Sequence, residues 1–301
     1  MTTTLWKSED AKQRMREWHE TFRARIDRSL ESRVVSTSFG ETHVLVGGPT
    51  DAPPVVLLHG ALATSAHVLR ELEPLLDRHR VYAVDVVGQS VMSADVRLPV
   101  DDDTTGHWLV ETFDALGLER AAVVGISWSG FVAQRFAKVA PERVTTLVLL
   151  VPAGLIASPR WRGFVQMGWP LTRFLFSPNA SNRDRLLAAL LSTPDDDLWG
   201  PYLADAFTSA NLRGMRVPRL SRDGEFESLA CPVHVLAAEH DVSFPGAALI
   251  ARARSLFPTL EHAEVLEGVK HSPPTTPEFR AAFSAKIASL IQSGADAQRS
   301  A

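Results

Sequence analysis

The stretch Val123-Val124-Gly125-Ile126-Ser127-Trp128-Ser129-Gly130 decides the fold of this chain. An apolar strand ends at Ser127, and a helical pattern begins immediately after it. A serine at a sharp strand-to-helix turn needs small residues two positions before and after it, because the strand and helix nearly touch there. Gly125 and Ser129 meet this requirement, whereas a nucleophile at 129 would put the Phe131 ring at the second small position. The spacing therefore selects Ser127 as the serine of a nucleophile elbow.

Outside this turn, short apolar strands alternate with helices from residue 54 to 151, and the alternation resumes from 233 to 292. Such alternation predicts an α/β fold with a mostly parallel central sheet flanked by helices. Residues 153–230 break the rhythm, because tryptophans and phenylalanines stand there among Arg, Pro and Ser. An insertion after the sixth strand should lie over the carboxyl ends of the strands, where open α/β sheets bind ligands. We therefore interpret 153–230 as a helical lid, with a purely structural insertion as the alternative.

The two ends of the chain are assigned separately. Residues 1–30 are assigned to an N-terminal amphipathic helix, because apolar residues recur at spacings of three and four as far as Leu30. This helix either docks on the body or serves as a membrane-surface or partner helix. Residues 31–152 and 231–292 form the core, and the polar residues 293–301 are expected to be a flexible tail.

Composition excludes several classes of protein. The 301 residues are 45% hydrophobic and 22% charged, which is typical of globular domains. A net charge of −4 gives no basic footprint for nucleic acid. The chain starts without an apolar signal core, and no apolar stretch reaches the roughly 20 residues of a membrane span. We therefore expect a cytoplasmic protein, and the single cysteine, Cys231, allows no intramolecular disulfide.

A serine hydroxyl becomes a good nucleophile only when a base takes its proton. At a nucleophile elbow, the acid and then the histidine follow the serine along the chain. Asp241 directly follows an apolar strand and is the first candidate for the acid; Glu239 is the second, and helix capping is the other interpretation of Asp241. Two histidines come later. His262 precedes a strand and so lies at the wrong end, which leaves His271, in the loop after that strand, as the base.

Attack on a carbonyl generates an oxyanion that needs pre-aimed N–H donors. The backbone N–H of Trp128 is one candidate, because it follows the nucleophile at the start of a helix. The backbone N–H of Ala61 is the other, in the loop after His59-Gly60. We expect His59 to hold this loop by hydrogen bonds, and Asp85 to shape a turn, because both precede Ser127.

The substrate pocket is expected to be largely apolar, since the predicted lid is rich in aromatic residues. Leu62, Trp161 and Trp169 are the predicted binding residues. No pair of histidines has metal-ligand spacing with a third ligand nearby, and no glycine-rich phosphate loop is present. The sequence therefore predicts neither a metal nor a cofactor.

Six short stretches of the sequence are similar to motifs of one known family. They are His59-Gly60-Ala61, Asp85-Val-Val-Gly88, Gly125-Ile-Ser-Trp-Ser-Gly130, Pro141-Glu-Arg-Val144, Glu239-His-Asp241 and His271. From about Arg33 to Leu290 the chain resembles α/β-hydrolase-fold proteins, although Ser129 stands where that family more often has Gly. The segments 39–46 and 51–62 are similar to a subgroup of bacterial carboxylesterases, and the elbow with Trp128 resembles that of prolyl aminopeptidases.

The resemblance implies a parallel sheet with a leading antiparallel strand, a cap over the site, and Ser127, Asp241 and His271 as a catalytic triad. A triad of this kind predicts a cofactor-free serine hydrolase that cleaves small-molecule carboxylic esters through an acyl-enzyme. A serine nucleophile excludes the dehalogenases and epoxide hydrolases of this fold, which use an aspartate.

Three other functions stay open at this point. A prolyl-type aminopeptidase would need carboxylates for a free amine, for which 195–197 or Asp205 are candidates, although an acidic run is more often a solvated face. A carbon–carbon bond hydrolase would use the same triad. A non-catalytic protein that binds small ligands could keep the fold, but it would have no need of the base. A homodimer through the N-terminal helix is a further expectation.

Overall fold

An eight-stranded sheet forms the centre of the computed structural model, which describes residues 4–158 and 160–299. The strands in chain order are β1 (Leu30–Thr37), β2 (Gly40–Gly47), β3 (Pro54–Leu58), β4 (Arg80–Val84), β5 (Ala121–Ile126), β6 (Val144–Leu150), β7 (Val233–Ala238) and β8 (Leu260–Leu266). Their spatial order is β1-β2-β4-β3-β5-β6-β7-β8. The pairs β1–β2 and β2–β4 are antiparallel, and all later pairs are parallel.

The central strands are buried on both faces, which explains their nearly continuous apolar sequences. In β7 all six residues are buried, and in β3 and β5 every residue but one at an end is buried. Helices cover both sides of such a sheet, so no strand face needs polar residues. The parallel strands end at one edge, and Ser127 directly follows β5 at that edge.

Ten α-helices lie in the described residues, with bounds α1 (Glu9–Arg23), α2 (Ser65–Glu71), α3 (Thr104–Leu116), α4 (Trp128–Val139), α5 (Arg160–Gly163), α6 (Trp169–Phe176), α7 (Ala180–Leu190), α8 (Trp199–Ser209), α9 (Gly246–Leu256) and α10 (Pro277–Arg299). A π-helical segment, Phe164–Gly168, joins α5 to α6. Short 3₁₀ turns occupy Glu73–Asp77, Pro141–Arg143 and Leu212–Gly214. None of the helices within 4–158 and 160–299 is long and apolar enough to cross a membrane.

The N-terminal helix is shorter than the predicted 1–30. Helix α1 ends at Arg23, and Leu30 instead begins β1, where it pairs with Gly47. Tertiary pairing has therefore overridden a helical spacing that continued in the sequence. The apolar face of α1 packs against the chain itself, and the Trp18 indole N–H donates to Asp205 Oδ2 at 2.8 Å. Residues 1–3 lie outside the described residues.

The segment between β6 and β7 contains α5 to α8, and two isolated β-bridges are among its connections to the rest of the chain. Trp6 pairs with Ala210 beside the end of α8. Leu191 pairs in parallel with Ser272, so the residues after α7 run alongside the loop that carries His271. We call residues 153–230 the cap from here on.

The C-terminal end of the chain differs from the expected tail. Helix α10 continues through Arg299, so residues 293–299 of the expected tail are helical. Ala, Gln and Ser are compatible with a helix, so polarity alone did not mark its end. Ser300 and Ala301 lie outside the described residues.

Candidate active site

The turn at Ser127 has the strained geometry that the spacing predicted. Ser127 has φ 50° and ψ −118°, in a region that non-glycine residues rarely adopt. A methyl group at Gly125 would lie 2.7 Å from both the Ala133 Cβ atom and the Ser129 carbonyl oxygen. The close approach of strand and helix therefore requires glycine there, and the turn projects the serine side chain from the end of β5.

Ser129 fills the position where glycine is more usual in this kind of turn. Its side chain is buried, and its hydroxyl donates a hydrogen bond to the His59 carbonyl oxygen. The hydroxyl thus joins the elbow to the end of β3. Sequence reasoning treated Ser129 only as a tolerated small residue, since the acceptor is 70 positions away.

The structure brings together the three residues predicted to act in catalysis. Ser127 Oγ lies 2.8 Å from His271 Nε2, and His271 Nδ1 lies 2.7 Å from Asp241 Oδ2. The other carboxylate oxygen, Asp241 Oδ1, accepts hydrogen bonds from the backbone N–H groups of Ser243 and Phe244 at 2.7 and 3.0 Å. Both oxygens are thus occupied, which fixes the carboxylate behind the imidazole ring.

Glu239, the second candidate for the acid, is directed elsewhere. Its Oε2 accepts a hydrogen bond from the Gly268 backbone N–H at 2.8 Å, and its side chain is about half exposed. Asp241, by contrast, has a fully buried side chain. The two residues follow the same strand, so the sequence left them as alternatives, and the turn after β7 directs only Asp241 toward His271.

The environment of His271 raises its pKa. Burial by itself lowers the pKa of the imidazole, because it disfavours the charged form. The charge of Asp241 and its hydrogen bond to the ring outweigh burial, and the resulting pKa lies above the ordinary value of histidine. The ring is thus a better proton acceptor than a free histidine and is held in one orientation.

Two backbone N–H groups lie near Ser127, one in the residue that follows it and one in the loop after β3. Within the described residues, the amides of Ala61 and Trp128 donate no hydrogen bond in the chain. Trp128 is the first residue of α4, where a helix leaves its N–H groups unpaired. Gly60, next to Ala61, lies beside Ser127, because a Cβ at Gly60 would come 3.5 Å from Ser127 Cβ. These are the two amides predicted to form an oxyanion hole.

His59 and Asp85 hold the loop that carries Ala61. The His59 ring is hydrogen bonded to the Gly60 carbonyl oxygen at 2.7 Å, and its Nε2 accepts from the Val86 N–H at 2.9 Å. Asp85 Oδ1 accepts from the Ser65 N–H at 2.9 Å, and Asp85 Oδ2 lies 2.7 Å from His43 Nδ1. Asp85 therefore fixes the start of α2 as well as the turn that the sequence predicted.

The surroundings of the buried Asp85 carboxyl favour its ionised form. Burial alone raises the pKa of a carboxyl, but the hydrogen bond from His43 and the nearby imidazoles reverse this effect. The pKa of Asp85 consequently lies well below its usual range. A carboxylate can accept several hydrogen bonds at once, which is what this position demands.

Tyr202 connects the cap to the same loop, and sequence reasoning did not find it. Its hydroxyl, on α8, donates to the carbonyl oxygen of Leu62. Both residues are buried, and Leu62 has φ 62°. Burial raises the pKa of Tyr202, so the phenol stays protonated and able to donate. No local signal in the sequence marks a contact across 140 positions.

A cavity of about 310 Å³ lies against Ser127 and His271. Its wall is mostly apolar, and the cap contributes Met167, Leu190, Trp199, Leu203, Phe207 and Met215. Leu62, one of the predicted binding residues, lines this cavity. The volume is at the lower end of the range for small-molecule sites.

The other two predicted binding residues do not line the cavity. Trp161 is 78% exposed and Trp169 is 52% exposed, and Trp169 instead borders a separate surface depression with Phe176. Their assignment to the pocket was wrong, because α5 and α6 direct these aromatic side chains outward. The cap aromatics that do reach the cavity, Trp199 and Phe207, lie on α8.

One ion pair lies in the otherwise apolar wall. Arg280 Nε donates to Glu71 Oε2 at 2.7 Å, and the Trp199 indole N–H donates to Glu71 Oε1 at 2.8 Å. Glu71 is the only carboxylate among the described residues that line the cavity. Its charge is already matched by Arg280, which leaves an electrically neutral wall.

Comparison with known proteins shows that this chain is similar to members of the α/β-hydrolase fold family. A model of the α/β-hydrolase fold family matches residues 53–202. The uncharacterized carboxylesterase nap of Bacillus subtilis (strain 168) is 30% identical over 251 residues, 80% of each protein. Carboxylesterase YbfK of the same organism is 28% identical over 253 residues, 80% of this chain and 81% of YbfK.

A solved structure has the same fold. The crystal structure of naproxen esterase from Bacillus subtilis superposes with a TM-score of 0.78 at 24% identity, over 93% of this chain and 98% of that one. The predicted fold class is therefore confirmed, with a mostly parallel eight-stranded sheet between helices.

Proposed function

Since the chain belongs to the α/β-hydrolase family, we propose that it is a serine hydrolase that cleaves carboxylic esters of small molecules through an acyl-enzyme. The relatives named carboxylesterases support an ester-cleaving enzyme. The observation that carries the proposal is the unbroken line of hydrogen bonds from Ser127 through His271 to Asp241, which ends at an apolar cavity.

In the first step, Ser127 Oγ attacks the ester carbonyl carbon while His271 Nε2 takes the hydroxyl proton. His271 Nδ1 carries its hydrogen toward Asp241, so Nε2 presents a lone pair to the serine. The Asp241 carboxyl group, hydrogen bonded to Nδ1, stabilises the imidazolium that forms. The electron pair of the carbonyl bond moves onto the carbonyl oxygen.

The amides of Ala61 and Trp128 stabilise this oxygen. They are aimed before the reaction starts, so no reorganisation is needed as charge develops, and α4 adds the positive end of its dipole. His59, Asp85 and Tyr202 act as positioning residues, because they hold the loop around Ala61 without touching the reacting atoms.

The tetrahedral intermediate collapses when the bond to the leaving alcohol breaks and His271 returns its proton to that oxygen. Water then attacks the acyl-enzyme, with His271 as the base, and releases the carboxylic acid and free Ser127. Neither half-reaction needs a redox change. In both, His271 accepts the proton of the attacking hydroxyl or water and returns it to the leaving oxygen.

We assign the cap the role of a lid that provides most of the apolar wall. A neutral, apolar cavity of about 310 Å³ favours short or medium acyl or aryl esters. It gives no support to an aminopeptidase, because the candidate carboxylates at 195–197 and Asp205 are not among its lining residues. Asp205 already accepts from Trp18, and Asp196 accepts from the amides of Leu198 and Trp199.

Replacement of Ser127 by alanine tests the proposal. Turnover of p-nitrophenyl butyrate should fall by about 10⁶-fold, the order observed when an intact triad loses its nucleophile. A fluorophosphonate should label the wild-type chain stoichiometrically and leave Ser127→Ala unlabelled, with Ser255→Ala, an exposed serine on α9, as the matched control.

Near-native turnover by Ser127→Ala would refute the proposal. A wild-type chain that is not labelled would indicate a binding protein instead. Preference for an amino-acid p-nitroanilide over the butyrate ester would indicate an aminopeptidase. A cytoplasmic location stays a prediction.

A further inference from the structure

Two stretches of the cap, 161–176 and 213–220, carry an unusual number of exposed apolar side chains. We define the cap surface as Trp161, Val165, Trp169, Leu175, Phe176, Met215, Val217 and Leu220. Only two other large apolar residues in the described part of the chain are comparably exposed, Val34 and Val96. Phe176 is 88% exposed and Val217 is 83% exposed. Trp169 and Phe176 border one surface depression, and contiguous exposed apolar groups usually mark an interaction site.

The same two stretches are basic. No aspartate or glutamate occurs between Glu142 and Asp184, or between Asp205 and Asp223. Arginines are interspersed among the apolar residues of the cap surface, and they include Arg173, Arg213 and Arg216, whose side chains are exposed. The chain as a whole carries a net charge of −4. Arg219 is paired with Asp103 and Glu225, so the positive charge of the cap surface rests on Arg173, Arg213 and Arg216.

The cap surface is next to the substrate cavity. Met167 lies between Val165 and Trp169 in the chain, and its side chain lines the cavity. Met215 belongs to the cap surface itself and lines the same cavity. Both stretches therefore contribute a side chain to the wall of the cavity that contains Ser127. A partner that covers the cap surface would lie next to this cavity.

We propose that the cap surface docks onto an anionic phospholipid surface, from which lipophilic esters enter the cavity. Tryptophan is favoured at the boundary between lipid and water, because its ring is apolar and its N–H is polar. A surface with arginines and aromatics side by side binds such a boundary through buried apolar area and attraction to acidic headgroups. A second copy of the chain fits less well, since it would bring two positive surfaces together.

The docking depends only on the cap surface, whereas delivery of an ester to Ser127 rests on the proposed function. The two are tested separately. The wild-type chain is mixed with sucrose-loaded vesicles of phosphatidylcholine and phosphatidylglycerol, and the bound fraction is measured by sedimentation. We expect binding to these vesicles and clearly weaker binding to phosphatidylcholine alone. Ser127→Ala should bind as the wild type does, even if the proposed function is wrong.

Two double variants probe the two parts of the surface. The variant Trp169→Ala/Phe176→Ala should bind at least about tenfold more weakly, because two large apolar groups no longer enter the lipid. The variant Arg213→Gln/Arg216→Gln should bind about 25-fold more weakly, or about fivefold per arginine. High salt should weaken wild-type binding, since it screens the headgroup charge.

Matched controls alter the same residue types elsewhere. Val34→Ala/Val96→Ala removes apolar groups exposed on the core, and Arg78→Gln/Arg254→Gln removes two exposed arginines there. Both should bind vesicles as the wild type does. All variants should keep the wild-type thermal midpoint, which excludes unfolding as the cause of lost binding.

Three results would overturn the docking proposal. They are no sedimentation of the wild-type chain with anionic vesicles, unchanged binding by both cap variants, and equal loss of binding by the controls. A dimer in solution that the cap variants dissociate would also overturn it, because the surface would then be covered by a second copy.

Discussion

Replacing Tyr202 with phenylalanine would show whether the cap sets the geometry of the loop around Ala61. The Tyr202 hydroxyl donates to the Leu62 carbonyl oxygen, and Leu62 adjoins Ala61 with a positive φ of 62°. Phenylalanine keeps the ring that packs against Trp18 and His67. The substitution therefore removes one hydrogen bond and little else.

The expected magnitude follows from burial. Tyr202 is 1% exposed and Leu62 is 4% exposed, so water cannot readily replace the lost donor. A buried carbonyl left without a partner costs about 1–3 kcal/mol of unfolding free energy. For a chain of this size that lowers the thermal midpoint by about 2–4 °C per kcal/mol. A displaced Ala61 amide should reduce kcat by about tenfold or more, up to the ~10² expected when an oxyanion donor is lost.

The assay combines thermal unfolding with steady-state hydrolysis of p-nitrophenyl butyrate. We expect kcat to fall more than KM rises, because the loop acts on the transition state and not on the apolar wall. Tyr82→Phe is the matched control, since Tyr82 is the other tyrosine in the chain and lies on β4, away from the cavity. If both variants behave alike in midpoint and kcat, the proposed positioning role of Tyr202 is refuted.

Two further predictions concern the residues behind Ser127. The value of kcat/KM should rise with pH, because protonated His271 cannot accept the serine proton. The rise should follow a pKa above the usual 6.5 of histidine, since Asp241 raises the pKa of His271. A flat profile from about pH 5 to 8 would contradict this prediction. Asp241→Asn should lower kcat by about 10⁴-fold, because the His271 ring loses its favoured tautomer. Glu239→Gln, measured under the same conditions, should change kcat little. A larger loss of kcat in Glu239→Gln than in Asp241→Asn would make Glu239 the acid.

Local sterics made the elbow predictable. The requirement for small residues around Ser127 depends on atoms within a few positions of one another, and the φ of 50° at Ser127 agrees with it. The alternation of strands and helices was equally readable, because each strand in a covered sheet is apolar on both faces. The chain order of serine, acid and histidine then restricted the base to His271.

Helix ends and side-chain directions were not predictable in the same way. Spacing extended the first helix to Leu30, but pairing with Gly47 draws that residue into β1. Trp161 and Trp169 have the composition of pocket residues, and only the orientation of α5 and α6 places them outside. The choice between Asp241 and Glu239 likewise depended on a turn whose direction no local pattern specifies.

The sequence by itself determined the alternation of strands and helices and the strained serine, because these follow from short-range sterics and from the period of apolar residues. The tertiary structure decided which carboxylate meets His271, which aromatics face the cavity, and that Tyr202 and Ser129 hold the loop and the elbow. Those outcomes depend on contacts between residues 30 to 140 positions apart. Such contacts are fixed only when the cap, the loops and the sheet pack against one another.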